Sequence, residues 1–459
     1  MNQIIYKSTF QIVKVKDKVS AIDKNHIYEF TVGKNFVYKI KNQVFISLQK
    51  HINNLLSNKI ELNNASIAFR KNLSYLHLFE PHRKNYHFLR LDIRSFFHSI
   101  EVDDIRDIFK SYIPDDEYID KGKNQSLLEA FINVITYTVP NNSKNEKFRG
   151  KQILPMGFST SPIISNIIFR KLDIQIQKLC AERGIEYTRY SDDMLFSSAK
   201  KSPYVHSNNF IREIQIIIFQ MKFKLNEHKT IKAKHTLSLN GYTIEYGDYI
   251  LDPIFKLRIL NPLKEEYETK QRNELRLSNK KTNIIKKIIH MINKEKKSSD
   301  IILKKVFQYK VKLKFIPDKE TYEKYNREQL LHKILGYRSY LLSIVQFNKK
   351  YHCTLNETIE KYLKIINDLE KISNDYEKKI DKLEKIIKEK KYEKEISKVL
   401  ISNLEFSNLQ KELLSKKGYM TLNDLKQLTK KDLIQLKTIG TVRANIMMKI
   451  IKNELEKYR

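Results

Sequence analysis

Two adjacent aspartates at the centre of an apolar segment constrain this chain more than any other feature of its sequence. The segment runs from Arg189 to Ser197 with the sequence RYSDDMLFS. Because side chains alternate along a strand, this arrangement predicts a hairpin whose tip presents Asp192 and Asp193 to solvent or metal. Neighbouring like charges are costly unless a cation neutralises them, and Mg²⁺ prefers a few carboxylates together with substrate phosphate oxygens. The segment therefore predicts a site for phosphate chemistry, with an ordinary turn as the alternative.

A third carboxylate lies earlier in the chain, at the end of a second apolar strand. Phe88 opens that strand, Asp92 ends it, and the aromatic pair Phe96 and Phe97 follows. Asp92 is the predicted bridging ligand of two metal ions, which would activate a 3′-hydroxyl and stabilise a leaving pyrophosphate. The alternative is an aspartate that only caps a helix.

Between the two acidic segments, proline, glycine and small hydroxyl residues lead into an apolar run from Leu154 to Asn166. This composition predicts a loop that enters a helix. Gly157 within the loop would allow the backbone to approach a base or sugar closely.

Together these three segments resemble the palm of reverse transcriptases, especially the bacterial retron, group II intron and phage-defence lineages. Asp92 matches the first palm motif, residues 154–166 the second, and residues 190–193 the third, Tyr-X-Asp-Asp. The resemblance implies an α+β fold: a right-hand polymerase with fingers and an antiparallel palm sheet, a helical thumb and a helical C-terminal extension. It also implies that Asp92, Asp192 and Asp193 are catalytic and that, with Ile93, they bind two Mg²⁺ ions.

Further matches to this family predict a nucleotide site. Arg70 and Lys71 fall in its basic fingers motif, and the planar guanidinium of Arg70 suits triphosphate oxygens. Lys229 resembles the lysine that protonates the leaving group. Phe97 stands where the family places a ring under the sugar, which would exclude a 2′-hydroxyl. A core position for Phe97, with Phe96 facing the pocket, is the alternative.

Met156 departs from the family pattern, because many members carry glutamine before the glycine that is Gly157 here. Glutamine can hydrogen-bond the incoming nucleotide, whereas a thioether offers only adaptable apolar contact. Nucleotide affinity, fidelity and template dependence are therefore open. Gly241 lies where the family places its primer-grip hairpin and is a predicted nucleic-acid contact.

Composition agrees with a nucleic-acid partner. The 86 basic residues exceed the 53 acidic ones by 33, and such an excess neutralises phosphates and releases counterions. No apolar run reaches the length needed to span a bilayer, and no signal-peptide pattern opens the sequence. Cys180 and Cys353 are far apart and fit neither a disulfide framework nor a zinc site. We therefore expect a cytoplasmic protein that does not act at a membrane.

The sequence divides into four predicted regions. Residues 1–250 would form the fingers and palm, 251–350 the thumb, 351–402 a long amphipathic helix or coiled-coil-like linker, and 403–459 a small helical module. An apolar stripe at spacings of three and four marks the third region, and it favours either a coiled-coil contact or packing on the same chain. Its members are Tyr362, Ile366, Leu369, Tyr376, Ile380, Leu383 and Ile387, with Ser373 as a polar interruption.

The last region resembles the C-terminal module of the bacterial RNA polymerase alpha subunit, with a hairpin of helix-hairpin-helix type. Thr421 and Thr429 are predicted helix caps, each with an acid three residues later. Lys437, Gly440 and Arg443 are predicted nucleic-acid contacts, because a helix start can receive a phosphate. A structural cap or a protein-docking module is the alternative.

These observations predict an RNA-directed DNA polymerase that extends a 3′-hydroxyl with dNTPs. A noncoding RNA would be its template and DNA its product, in a retron or another anti-phage system. Template-independent or protein-primed DNA synthesis is an alternative, and a noncoding-RNA-binding scaffold with an inactive palm is an alternative of another class. Partner or effector proteins and a homo-oligomer are left open.

Overall fold

The structure is a computed structural model, and it describes residues 4–10, 14–15, 18–33, 35–114, 116–119, 124–246, 274–308, 318–436 and 438–458. Its strands are β1 (Lys14–Val15), β2 (Lys18–Val19), β3 (Ile27–Val32), β4 (Asn35–Ile40), β5 (His87–Asp92), β6 (Tyr137–Thr138), β7 (Gln152–Ile153), β8 (Ile185–Tyr190), β9 (Asp193–Ser198), β10 (Ile231–Lys234), β11 (Thr236–Leu239), β12 (Tyr242–Glu245) and β13 (Glu274–Leu277). Its helices are α1 (Gln43–Lys59), α2 (Val102–Phe109), α3 (Leu127–Ile135), α4 (Ser161–Glu182), α5 (Asn208–Phe219), α6 (Asn279–Asn293), α7 (Ser299–Phe307), α8 (Lys319–Tyr351), α9 (Asn356–Ile396), α10 (Asn408–Lys416), α11 (Leu422–Leu425), α12 (Lys430–Ile434) and α13 (Thr441–Glu456).

The chain forms two compact units. The first contains Met1–Ser278 with Ser343–Lys361, and the second contains Asn279–Leu342 with Tyr362–Arg459. The four-region division predicted from the sequence stays a prediction.

A four-stranded antiparallel sheet carries the acidic segments in the first unit. Its strand order is β10-β5-β9-β8, so β5 and β9 lie at the centre. Both central strands are almost continuously buried, polar residues included, because both faces of the sheet are covered. The buried apolar residues include Leu89 and Leu91 on one strand and Leu195 and Phe196 on the other. This sheet, with the helices around it, confirms the predicted α+β fold and antiparallel palm sheet.

Helix α4 begins where the sequence predicts a loop to enter a helix. Pro162 occupies the first turn, where its missing N–H is not needed. The Ser161 hydroxyl donates to the carbonyl of Pro155, and the Asn166 amide donates to the carbonyl of Ala68. These side-chain bonds fasten the loop and the helix start to their neighbours.

A second sheet, with the order β11-β12-β13, stands beside the palm sheet in the first unit. Strand β13 lies within the region predicted as a helical thumb. It is a strand because Leu275 and Leu277 alternate with polar residues and are buried against β12. Residues 251–273, which would open the predicted thumb, lie outside the described residues.

In the second unit, α8 and α9 run antiparallel. Glu320 pairs with Lys390, Lys324 with Glu384, and Arg338 with Glu370. The residue numbers rise along α8 as they fall along α9, as they do for antiparallel helices. The apolar stripe of α9 is buried, apart from the half-buried Ile387. The stripe is therefore covered by the same chain, which is one of the two arrangements its spacing predicts.

The C-terminal segment forms an apolar core together with the end of α9. The side chains of Thr421 and Asp424 satisfy each other's backbone N–H groups at the start of α11, and those of Thr429 and Asp432 do so at the start of α12. Both predicted caps are confirmed. The buried core of this segment includes Leu414, Leu422, Leu425, Leu433, Ala444, Met447 and Ile451.

Two predictions from composition can be compared with the described residues. Cys180 and Cys353 are both buried and neither forms a disulfide. Among the described helices, none combines the length and the apolar character that crossing a bilayer requires.

Candidate active site

The three predicted acids meet at one end of the palm sheet. Asp92 is the last residue of β5 and lies directly opposite Asp193, the first residue of β9. Asp192 occupies the two-residue turn before Asp193, where Ser191 takes the positive φ of 60° that a primed hairpin turn requires. The backbone N–H of Ile93 donates to the carbonyl of Asp192 over 3.0 Å. Strand register and this bond therefore bring together residues that are far apart in the chain.

A buried ion pair stabilises the hairpin on the side of α4. Arg189 and Asp173 are both fully buried, and two guanidinium nitrogens donate to the two carboxylate oxygens over 2.9 and 2.7 Å. A third guanidinium bond, of 2.9 Å, reaches the carbonyl of Ser191 in the turn. The guanidinium also lies 4.4 Å from the ring centre of Phe169. Arg189 thus holds the acidic turn against α4.

Two cations contact the acids. The Lys229 ammonium lies 2.9 Å from Oδ2 of Asp92. Arg90 donates through Nε to Oδ1 of Asp193 over 2.8 Å, and its Nη2 makes a further contact with the same oxygen. Arg90 Nη2 is also 3.5 Å from Oδ2 of Asp92. The other oxygen of Asp92, Oδ1, is buried and has no hydrogen-bond partner among the residues that the structure describes.

The chemistry of these donors fits a hard divalent cation. Carboxylates are ligands that Mg²⁺ prefers, and an unpartnered buried carboxylate oxygen is costly without a cation. Burial, and then the charge of Asp193, raise the pKa of Asp192. Burial also raises the pKa of Asp193, against the opposing effect of Arg90. The site therefore carries more negative charge than its environment stabilises.

The acids are not arranged as a finished metal cluster. Among the residues that the structure describes, no three His, Cys, Asp or Glu side chains are placed to hold one metal ion. Arg90 and Lys229 instead contact carboxylate oxygens that a metal ion would coordinate. The side chain of Ile93 is apolar and buried, so only its backbone carbonyl could serve as a ligand.

The first unit matches a known protein family. Residues 32–244 match the family described as "Reverse transcriptase (RNA-dependent DNA polymerase)". The chain contains a reverse transcriptase domain. This match confirms the predicted enzyme class for the domain, and reverse transcriptases in general use divalent metal ions.

Several curated relatives of this reverse transcriptase domain are retron enzymes of Escherichia coli. The chain is 25% identical to the Retron Ec83 reverse transcriptase over 224 residues, which are 46% of this chain and 68% of that protein. It is 27% identical to the Retron Ec86 enzyme over 37% of this chain and 46% of the relative. It is 31% identical to the Retron Ec73 enzyme over 37% of this chain and 51% of the relative. The chain thus spans about half the length of the last two.

A solved structure of apo telomerase from Candida Tropicalis, truncated from its C-terminal domain, also aligns with the chain. The sequences are 13% identical, and the alignment covers 50% of this chain and 55% of that one with a TM-score of 0.33. An alignment this weak supports no argument about function.

The two adjacent phenylalanines of the reverse transcriptase domain face different environments. Phe96 is 3% exposed and packs against Phe169 and Phe223 in the core. Phe97 is half-buried, and its ring centre lies 6.5 Å from that of Phe69, which in turn neighbours Tyr190 of the acidic hairpin. Phe97 is thus the ring that is not enclosed in the core, as the sugar-gate prediction requires, and its role stays a prediction.

The loop with Met156 and Gly157 is held by its backbone. The N–H of Tyr38 donates to the carbonyl of Met156 over 2.8 Å, and the N–H of Met156 donates to Nε2 of His98 over 3.3 Å. Burial, aided by Lys147, lowers the pKa of His98 to about 4, which keeps this acceptor unprotonated. A Cβ on Gly157 would lie 2.7 Å from the carbonyl oxygen of Tyr38. The close approach that this glycine permits is therefore to β4.

The remaining predicted contacts of the domain lie on loops. Arg70 is half-buried and donates to the carbonyls of Asn63 and Ser66, whereas Lys71 is exposed. Gly241, with φ 91°, is the second residue of the two-residue turn between β11 and β12, after Asn240. The predicted nucleotide and nucleic-acid roles of these residues stay predictions.

In the C-terminal segment, Gly440 precedes α13 as its N-cap. Arg443 is exposed and donates to the carbonyl of Thr438 over 3.3 Å. Lys437, the third predicted contact there, lies outside the described residues.

Several functional neighbours were not identified from the sequence. Arg90 could have been found, because residues two apart on a strand share a face, and Arg90 is two residues before Asp92. Asp173 and His98 gave no such signal, because their partners are distant in sequence and depend on how α4 and the loops pack.

Proposed function

We propose that the chain is an RNA-directed DNA polymerase of retron type that extends a 3′-hydroxyl with dNTPs. The observation that carries this proposal is the meeting of Asp92, Asp192 and Asp193 at the end of the palm sheet, with the Lys229 ammonium 2.9 Å from Asp92. The family match over residues 32–244 and the retron relatives support it. A noncoding RNA would be the template and DNA the product, in an anti-phage setting.

Asp92, Asp192 and Asp193, with the carbonyl of Ile93, would hold two Mg²⁺ ions. Bound Mg²⁺ would supply charge stabilisation to the attacking and leaving oxygens of an in-line displacement. Arg90 would orient Asp193 and balance its charge. Lys229 is within reach of the site and would give a proton to the leaving pyrophosphate, while Arg70 and Lys71 would bind the triphosphate.

Nucleotide selection would depend on the aromatic side of the site. Phe97 would lie under the sugar and exclude a 2′-hydroxyl. Met156 and Gly157 would face the incoming nucleotide through a loop that Tyr38 and His98 hold in place. Gly241 would support the primer strand.

The first test is primer extension on an RNA template with dNTPs. We expect Asp192→Asn with Asp193→Asn to abolish incorporation, at least about 10³-fold, while the unfolding midpoint stays near that of the wild type. Incorporation by this folded double variant would contradict the assignment. Magnesium-dependent incorporation by the wild type would exclude the scaffold alternative.

A second candidate function is template-independent or protein-primed DNA synthesis. Met156 favours it, because a thioether offers no hydrogen bond where many family members have glutamine. Sequencing the product separates the two candidates, since a templated product must complement the RNA. DNA that stays attached to protein after denaturation would indicate protein priming.

The C-terminal segment would add a nucleic-acid contact through Lys437, Gly440 and Arg443, as its resemblance to the RNA polymerase alpha C-terminal module implies. Its apolar core, which includes Ile396 at the end of α9, supports a compact module. The buried stripe of α9 gives no reason for a homo-oligomer. Partner or effector proteins would be found by purifying the chain from its native cells with its bound RNA.

A further inference from the structure

A groove lies along helix α5 in the first unit, and neither the family match nor the predicted site explains it. Two cavities, of about 950 and 580 Å³, form it. They share the lining residues Arg212, Gln215, Leu225 and Glu227, so they are adjacent. We call this feature the α5 groove, formed by one face of α5 together with residues 223–232 and Arg94.

The wall of the α5 groove is bonded to the strand that carries Asp92. Leu225 bridges to Ile93, and the N–H of Asn226 donates to the carbonyl of Asp92 over 2.8 Å. The N–H of Arg94 donates to the carbonyl of Lys224, also over 2.8 Å. A ligand in the groove would therefore lie on a rigid part of the domain that is contiguous with the acidic site.

The groove carries positive charge that the chain does not neutralise. Arg94, Arg212 and Lys224 are exposed, and within the described part of the chain none of them forms an ion pair. Glu227 is the acidic residue that lines both cavities. Unpaired cations spread along a groove attract a ligand with several phosphates, because each neutralised phosphate releases a counterion.

The surroundings of Lys147 point to the same excess of charge. Burial, and then the charges of Arg94, Lys151 and Lys224, lower the pKa of Lys147. The cations that line the groove therefore also repel Lys147, which does not line it. An anion would relieve this repulsion.

The groove also has an exposed apolar rim on α5. Ile216 is 62% and Phe219 is 61% exposed, whereas Phe210, Ile214 and Ile218 of the same helix are buried in the core. An exposed aromatic ring beside cations is typical of single-strand binding, because a base can stack on the ring while its phosphate meets a cation. A purely apolar partner would instead desolvate three unpaired cations.

We propose that the α5 groove binds a single-stranded segment of the noncoding RNA, with a base stacked on Phe219 and phosphates at Arg212 and Lys224. The two adjacent cavities together exceed what one nucleotide needs, which favours a strand over a free nucleotide. The choice of RNA rests on the proposed function, which gives this enzyme a resident RNA strand. The groove would hold that strand outside the polymerisation site.

Cross-linking locates the contact. A single-stranded RNA oligonucleotide with 4-thiouridine is cross-linked to the full-length protein, and cross-linked peptides are mapped by mass spectrometry. We expect cross-links in peptides that contain Phe219, and we expect Phe219→Ser to remove at least about two thirds of them, given the share of affinity that stacking supplies. Cross-links confined to other segments would overturn the proposal.

Affinity measurements test the charges. Arg212→Glu with Lys224→Glu should weaken binding of the labelled RNA about tenfold and lower the salt slope by about 1.4, as expected for two lost phosphate contacts on a single strand. The matched control is Lys171→Glu with Lys178→Glu, which makes the same charge change at exposed positions of α4. Equal losses in both double variants would contradict a specific groove.

Two further measurements distinguish other occupants of the groove, and a third tests the polymerase proposal separately. An equal cross-link yield at Phe219 from a 4-thiothymidine DNA strand would overturn the RNA assignment. A change of molar mass by light scattering in the Arg212→Glu and Lys224→Glu variant, with RNA affinity intact, would identify a contact between copies instead. Primer extension on a supplied duplex is measured in parallel. Its absence in the wild type, with groove cross-links present, would contradict the polymerase proposal and leave RNA binding by the groove supported.

Discussion

Arg90 directs two guanidinium nitrogens at one carboxylate oxygen of Asp193, across the central pair of strands in the palm sheet. A third nitrogen of the same side chain donates to the backbone carbonyl of Lys229 over 3.3 Å. Arg90 therefore links β5, β9 and the loop that carries the predicted proton donor. An acid that already has a cationic partner contributes less to metal binding than a free one.

Replacing Arg90 should separate metal affinity from activity. In Arg90→Met, Asp193 loses its counter-charge, so Mn²⁺ should bind about tenfold tighter, whereas incorporation should fall because the carboxylate loses its orientation. Arg90→Lys should be intermediate, since an ammonium keeps the charge but not the paired geometry. Mn²⁺ binding is measured by electron paramagnetic resonance. The control Arg94→Met removes a nearby charge that contacts neither acid, and a wild-type Mn²⁺ affinity in Arg90→Met would contradict the assigned role.

The two adjacent phenylalanines should give different phenotypes. Phe97→Ala should raise the use of ribonucleotides relative to dNTPs by at least about tenfold, because the half-buried ring would no longer meet the 2′-hydroxyl. Phe96→Ala should instead cost about 3–5 kcal/mol of stability, as for other large core aromatics. Single-nucleotide incorporation with each substrate, together with urea unfolding, checks both. Ribonucleotide use raised by Phe96→Ala alone would reverse the assignment.

Breaking the buried ion pair under the acidic turn should destabilise the domain. Asp173→Asn leaves Arg189 buried without its counter-charge, which should lower the free energy of unfolding by about 3–5 kcal/mol. The control Glu146→Gln breaks the exposed pair with Arg149 and should change it by less than about 1 kcal/mol. Urea unfolding followed by circular dichroism measures both. A loss below 1 kcal/mol for Asp173→Asn would show that the pair does not stabilise the turn.

Two glycines with positive φ should differ in their tolerance of alanine. Gly157→Ala places Cβ 2.7 Å from a backbone oxygen of Tyr38, whereas Gly184→Ala meets nothing within 4 Å. Both substitutions incur the cost of a positive φ, about 1–2 kcal/mol, and Gly157→Ala should lose about 1–3 kcal/mol more. Thermal unfolding compares them, and equal losses would mean that β4 moves away freely.

Acid should destabilise the first unit through buried histidines. His82 is fully buried between Thr188 and Ser197, and burial lowers its pKa to about 3. The unfolded chain binds a proton near pH 6.5 and the folded one does not, so stability should fall as pH drops from about 6.5 towards 3, by a few kcal/mol.

The substitution His82→Gln should flatten this dependence, and the exposed His51→Gln should not. Urea unfolding from pH 7 to about 4 provides the measurement. A slope in His82→Gln as steep as that of the wild type would exclude His82 as the main source.

Some of this protein follows from local sequence alone. The acidic hairpin, the loop that enters α4 and the reciprocal caps at Thr421 and Thr429 were all predicted, because each depends on residues within one turn or one strand. The α+β class followed as well, since the order of the three palm segments marks the family.

The tertiary structure decided which side chains meet. Arg90 reaches Asp193 because strand register places β5 beside β9, and Arg189 reaches Asp173 because α4 packs beneath β8. The α5 groove likewise exists because residues 223–232 fold back beside α5. Hydrophobic periodicity determines which face of an element is buried, but the partner across that face depends on register and packing between segments distant in the chain.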